Sequence, residues 1–193
     1  MFLNDAEALR KTLTKIINFK YEIIEDGSDF SPNSDDARWY LLVNEEIPKI
    51  YHARIIWLDK DDSIRIESMY LGNTTEWIGQ DYGEDGVIAA TRLDYPDLQS
   101  TRKVFAENFP REARRIDAYQ EILDDISSKY GIHLELICKG GKMGATFFMG
   151  AIVKTKDTDD EEKAERIKRN LKGLKEALKR MEGYEAKQRK RTT

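Results

Sequence analysis

The sequence predicts an α+β fold: an antiparallel sheet of about five to seven strands packed by an N-terminal helix, a central helix and a long C-terminal helix. Three observations carry this. Strand-length runs follow one another between residues 38 and 71. Apolar residues step by three and four along residues 116–130 and again along 164–181. Between those two helical segments, a glycine-rich stretch separates two further strand-like runs.

The N-terminal helix is predicted from about Asp5 to Asn18. Asn4 and Glu7 have the spacing of a capping box, and Leu9, Leu13, Ile16 and Ile17 form one apolar stripe. Phe19, Tyr21 and Ile23 then alternate with polar residues, as in a short strand. Residues 25–36 combine turn formers with acids and read as an exposed acidic loop. Arg38–Asn44, Ile50–Leu58 and Ser63–Leu71 follow as strands, the last two joined by a polar turn at Asp59–Asp62. Residues 72–97 are interrupted by Gly72, Gly79, Gly83 and Gly86, with Val87–Leu93 as one further strand candidate.

Leu98–Phe109 reads as a short helix, and Pro110 stands where a new one would begin. Ile116, Tyr119, Leu123, Ile126 and Tyr130 place a long helix over Arg111–Tyr130, with Gly131 as its C-terminal glycine. Ile132–Cys138 and Ala145–Lys154 flank Lys139–Gly144 as a second hairpin. The last helix begins after Asp159 and Asp160, acids that suit a helix N-terminus. Its apolar residues Ala164, Ile167, Leu171, Leu174, Leu178 and Met181 form a heptad-like seam.

A chain of 193 residues with 40% hydrophobic and 35% charged residues is long and apolar enough for one core under a charged surface. One cysteine, Cys138, leaves no internal disulfide framework, and two histidines leave no thiolate or imidazole zinc set. With no charged segment leading into a long apolar run, the expected location is cytoplasmic, without a membrane span. The net charge of −4 is unevenly distributed. Residues 163–193 hold twelve Lys and Arg against four Glu, which leaves −12 on residues 1–162. The expected organisation is an acidic α+β domain over 1–158 and an amphipathic basic helix and tail over 159–193. That helix would pack on the domain or on a second subunit.

Most chemical motifs fail on inspection. The run Lys139–Gly144 has Met143 where a phosphate loop needs Ser or Thr, and a strand follows it rather than a helix. Cys138 and His133, read as one strand five positions apart, leave opposite faces and cannot form a nucleophile and base. His52 reads as a sheet residue. An EF-hand reading that starts at Asp59 fails at Ile64 and Tyr70, where Gly and Glu are needed. The Glu-x-Lys steps of a metal nuclease occur only in the last helix. Neither a cofactor nor a metal is expected.

In its order of elements the chain resembles the bacterial type III secretion chaperones and related small regulators, which run helix, three strands, helix, two strands, helix. Residues 72–109 are an insertion that such a fold would not need, and no residue role is carried over.

The function expected is therefore a non-enzymatic, protein-binding module, chaperone-like or adaptor, with another protein chain as partner, a homodimer twin among the candidates. Ile167, Leu171, Leu174, Leu178 and Met181 are the interface candidates. The alternative is a nucleic-acid-binding regulator acting through Lys168, Arg169, Lys172, Lys175, Lys179, Arg180, Lys187, Arg189, Lys190 and Arg191. A third reading is an enzyme using carboxylate or metal chemistry in the acidic loops.

Overall fold

A computed structural model of the chain describes residues 11, 20–24, 40–44, 53–58 and 63–192. Their elements are β1 (Lys20–Ile24), β2 (Tyr40–Asn44), β3 (Ala53–Leu58), β4 (Ser63–Asn73), α1 (Thr74–Ala90), α2 (Leu98–Asn108), α3 (Pro110–Tyr130), β5 (Leu134–Gly141), β6 (Gly144–Lys154) and α4 (Asp160–Thr192). The protein is α+β, with four helices among the described residues and an antiparallel sheet. β1 to β4 form a meander in which Tyr21 faces Val43, Leu41 faces Ile55 and Ile55 faces Ile66. The strand order is β1-β2-β3-β4-β6-β5. Of the expected N-terminal helix only Lys11 is described, and it is helical. The acidic loop at 25–36 and the turn at 59–62 lie outside the described residues. No helix among the described residues is long and apolar enough to cross a membrane.

The chain divides into two compact units. The first comprises Met1–Met69, Ser127–Leu134 and Gly150–Glu176; the second comprises Tyr70–Ile126, Glu135–Met149 and Ala177–Thr193.

In the first unit, Ile64, Ile66, Leu134, Ala151, Val153, Ala164, Ile167 and Leu174 are buried. Gly131 takes a positive φ of 62°, which closes α3 with little strain because glycine has no Cβ. The Leu134 amide donates to the Ser127 hydroxyl at 3.0 Å, fixing the entry to β5. α4 starts as the acids suggested: the Asp159 carboxylate accepts the Glu162 amide at 2.8 Å, satisfying one of the donors a helix start leaves open.

The second unit corrects the reading of residues 72–97. The strand expected at Val87–Leu93 is instead the end of α1 and the turn after it. Asn73 caps α1 in a complete capping box with Glu76, the spacing already seen at Asn4 and Glu7. Gly83, at φ 68° and ψ −163°, breaks α1 into two helical pieces, so no single 3.6-residue stripe runs through it. Trp77 on α1 stacks on Phe147 of β6 with centroids 4.2 Å apart, and Phe105 of α2 closes on the same ring at 6.2 Å. Tyr95 is buried, donates its hydroxyl to the Ala90 carbonyl at 2.8 Å, and has its pKa pushed up to about 12 by burial.

The second hairpin is tighter than its glycines suggested, since Gly140 and Gly141 belong to β5 and Gly144 opens β6. Met143, at φ 76°, carries the turn. Gly140 is required for a different reason: a Cβ there would lie 1.6 Å from the Tyr95 carbonyl oxygen. Gly140→Ala is expected to cost about 2–4 kcal/mol of stability, because strand and backbone must separate. Gly141→Ala, with nothing within 4 Å of the added carbon, is expected to stay within about 0.5 kcal/mol in the same urea titration.

The seam of α4 is also shifted. Ala164, Ile167, Leu174 and Met181 are buried, whereas Leu171 and Leu178 are only half-buried. Asn170, Gly173 and Ala177 occupy the centre of the buried stripe instead. Gly173 and Ala177, with little or no side chain, share the inward face with Leu174, and the two half-buried leucines flank it.

Candidate anion-binding cleft

A cleft of about 690 Å³ opens in the second unit, lined by Gln80 and Asp81 of α1, Arg111, Arg114 and Arg115 of α3, and Tyr184, Glu185, Gln188 and Arg189 of α4. The local sequence explains how α3 supplies its arginines. Pro110 begins the helix, so Arg111 to Arg115 form its first turns, with Glu112 suiting the N-terminal dipole. The apolar stripe Ile116, Tyr119, Leu123 and Ile126, continued one turn back, lands on Glu112. Glu112 is accordingly fully buried, and the neighbouring Arg115 is 6% exposed.

Arg115 is the centre of the site. Its Nη1 donates to Glu112 Oε2 at 2.5 Å, and its Nε donates to Glu185 Oε1 at 3.0 Å. Asp81 Oδ2 is 3.7 Å from Nη2. The face of the guanidinium lies over the Trp77 ring at 4.9 Å, so the cation is held by the carboxyl groups at its edge and by the indole against its face. The Tyr119 hydroxyl donates to Glu185 Oε1 at 2.7 Å, and burial beside that carboxylate pushes the phenol upward. Arg111 reaches the other oxygen of Asp81 at 3.6 Å, and its amide donates to the Tyr82 hydroxyl at 3.1 Å.

Glu112 is the unusual member. Burial pushes its carboxyl up to about 8, hydrogen bonding with Asp81 adds to the rise, and Arg115 opposes both. Its Oε1 is buried and, with both carboxyls ionised, makes no hydrogen bond among the described residues. Two carboxylates cannot donate to each other, so the Asp81–Glu112 contact is satisfied when one of them holds a proton. Near pH 7 Glu112 is then mostly neutral. Among its described residues the lining carries four arginines and the two carboxylates Asp81 and Glu185.

Of the nine basic candidates on the last helix whose side chains are described, the cleft gathers only Arg189. Lys168, Arg169, Lys172, Lys175, Lys179, Arg180, Lys187 and Lys190 are exposed along α4, and the side chain of Arg191 lies outside the described residues. Arg180 is paired with Asp125, and Lys172 lies over the Tyr130 ring at 5.7 Å. The five interface candidates divide. Ile167, Leu174 and Met181 are enclosed within the single chain, while Leu171 and Leu178 keep part of their surface open.

His133 precedes β5 and does not share a strand with Cys138, which corrects that assignment. Cys138 is half-buried, its Sγ 3.6 Å from the Thr101 hydroxyl, and burial raises its thiol. His52 lies outside the described residues. Among the described residues no three of His, Cys, Asp and Glu come together as a metal donor set.

Asp81, Arg111, Glu112, Arg114, Arg115 and Glu185 were not singled out by sequence. The available signal was a glutamate and an arginine on and beside the apolar stripe of an amphipathic helix, where unpaired charge is costly.

No family model and no curated protein matches the sequence. Among solved structures, the chain is similar to an uncharacterized protein from Methanothermobacter thermautotrophicus, at 12% identity and a TM-score of 0.43, over 93% of this chain and 98% of the other.

Proposed function

We propose that the protein is a non-enzymatic binding protein that takes an acidic group of a partner protein into the arginine cleft. The observation that carries this reading is the difference between Arg115 and Arg114. Arg115 is fixed at the base of the cleft by Glu112, Glu185 and Asp81, whereas Arg114 stands exposed at the lining with no carboxylate partner among the described residues. A held cation below and an unpaired guanidinium above favour a carboxylate arriving from outside, which can engage the fork of Arg114 in two hydrogen bonds. A second copy of the chain is the first partner to test, because residues 1–162 carry −12. Calorimetric titration with a hexaglutamate peptide at low salt is expected to show binding that Arg114→Glu weakens at least about tenfold, the equivalent of about 1.4 kcal/mol. An unchanged affinity in that variant would remove the cleft from the account.

A second reading rests on α4. Lys168, Arg169, Lys175, Lys179 and Lys187 are exposed and have no carboxylate partner among the described residues, so a phosphate backbone would meet available cations there. Against it stands the acidic charge of the rest of the chain, which repels that backbone at low salt.

A further inference from the structure

We infer that the first unit carries a separate site for a phosphate group, in the cleft bounded by His133, the end of β6 and the first half of α4. This cleft, of about 600 Å³, includes Lys154, Arg166 and Arg169 in its lining and, among the described residues, no carboxylate; Glu162 reaches Arg166 from outside it. It differs in this from the arginine cleft, and the inference does not depend on the function proposed for that cleft.

Three cations from two elements converge here, and one of them is fixed. Arg166 donates from Nη1 to the Lys154 carbonyl at 2.6 Å and from Nη2 to Glu162 at 2.5 Å, which ties α4 to the end of β6 and holds the guanidinium in place. Lys154 and Arg169 are exposed and have no carboxylate partner among the described residues. The imidazole of exposed His133 adds a polar group on the same lining, while the His133 carbonyl accepts the Ile152 amide at 3.0 Å and so keeps that strand edge in register.

A carboxylate would be satisfied by one guanidinium fork. A phosphate, with up to two charges and three terminal oxygens, can take Lys154 of β6 and Arg169 of α4 together, with Arg166, already paired with Glu162, beside them.

Asn170 is an independent pointer. It lines the cleft at 4% exposure, donates its amide to the Arg166 carbonyl at 2.8 Å, and leaves Oδ1 buried with no donor among the described residues. The O–H of a phosphate monoanion, or a hydroxyl of the molecule that carries the phosphate, is the donor this position lacks. Half-buried Ile152 supplies apolar surface beside the cations, so a small phosphomonoester fits the lining better than inorganic phosphate does.

Calorimetry at fixed ionic strength, with inorganic phosphate and glycerol 3-phosphate as probes and sodium chloride as the control, tests this. Wild-type protein is expected to bind glycerol 3-phosphate below about 1 mM and inorganic phosphate a few fold more weakly. The double variant Lys154→Ala/Arg169→Ala, both positions exposed and shown folded by its melting curve, is expected to lose at least tenfold in affinity. Arg114→Ala, in the other cleft, is expected to stay within twofold. Absence of phosphate-specific heat at 10 mM, a double variant that binds like wild type, or an equal loss in Arg114→Ala would each overturn the inference.

Discussion

Leu174→Asp is expected to leave the protein largely unfolded at 25 °C. Leu174 is 1% exposed, at the centre of the buried stripe of α4. An aspartate there loses the transfer energy of the leucine and buries an unpaired carboxylate, together costing on the order of 4 kcal/mol or more. A typical domain has about 5–15 kcal/mol in total to lose. Leu178→Asp, half-buried on the flank of the same helix, is expected to cost only about 1–2 kcal/mol, because its carboxylate can reach water. Circular dichroism melts of the two variants make the comparison. If Leu174→Asp melts within a few degrees of wild type, the single-chain burial of the seam is wrong.

Stability is expected to fall as pH rises from about 6 to about 8, the opposite of the behaviour of a salt-bridged carboxylate. Glu112 holds its proton up to about 8 when folded, against an ordinary value of 4.5. Between those values the folded chain carries a proton that the unfolded chain has released, so unfolding releases it and higher pH favours unfolding. The contribution is fully present below 4.5 and lost once pH passes about 8.

At about 1.4 kcal/mol per unit, the fall between pH 6 and 8 is about 2 kcal/mol. Glu112→Gln, which cannot ionise and still presents an oxygen to Arg115, is expected to flatten this slope and to exceed wild type in stability at pH 9. Urea midpoints of both proteins over pH 6–9 decide it. An equal slope in the variant would assign the titration to another group.

The parts of the fold that were legible in the sequence are those where one physical signal acted alone. Ile116, Tyr119, Leu123 and Ile126 are all buried, as their spacing requires, and Asp159 caps α4 where acids precede it. Helix α1 was hidden because Gly83 takes a conformation that splits it, and the capping box of Asn73 and Glu76 was not read as its start.

The seam of α4 was read from leucines, but the buried stripe runs through Asn170, Gly173 and Ala177, which hydrophobic spacing alone does not mark. The arginine cleft was invisible for a different reason. Its members come from α1, α3 and α4, more than 100 positions apart between Asp81 and Glu185, and only the folded chain brings the two carboxylates onto one guanidinium. The charge asymmetry read from composition also resolves less simply than a basic helix on an acidic body. Glu185 of α4 takes a cation from α3, while Arg180 takes an acid from it.

On the function proposed above, the arginine cleft, rather than the lysine-rich face of α4, is the recognition surface. The most direct measurement titrates the full-length protein with hexaglutamate and with duplex DNA over a salt series, alongside Arg111→Ala/Arg114→Ala and Lys168→Ala/Lys175→Ala/Lys179→Ala variants. Peptide binding is expected to be lost in the first variant, kept within about twofold in the second, and stronger than DNA binding at every salt concentration. DNA binding that is tighter than peptide binding, falls steeply with salt and disappears in the lysine variant would contradict it.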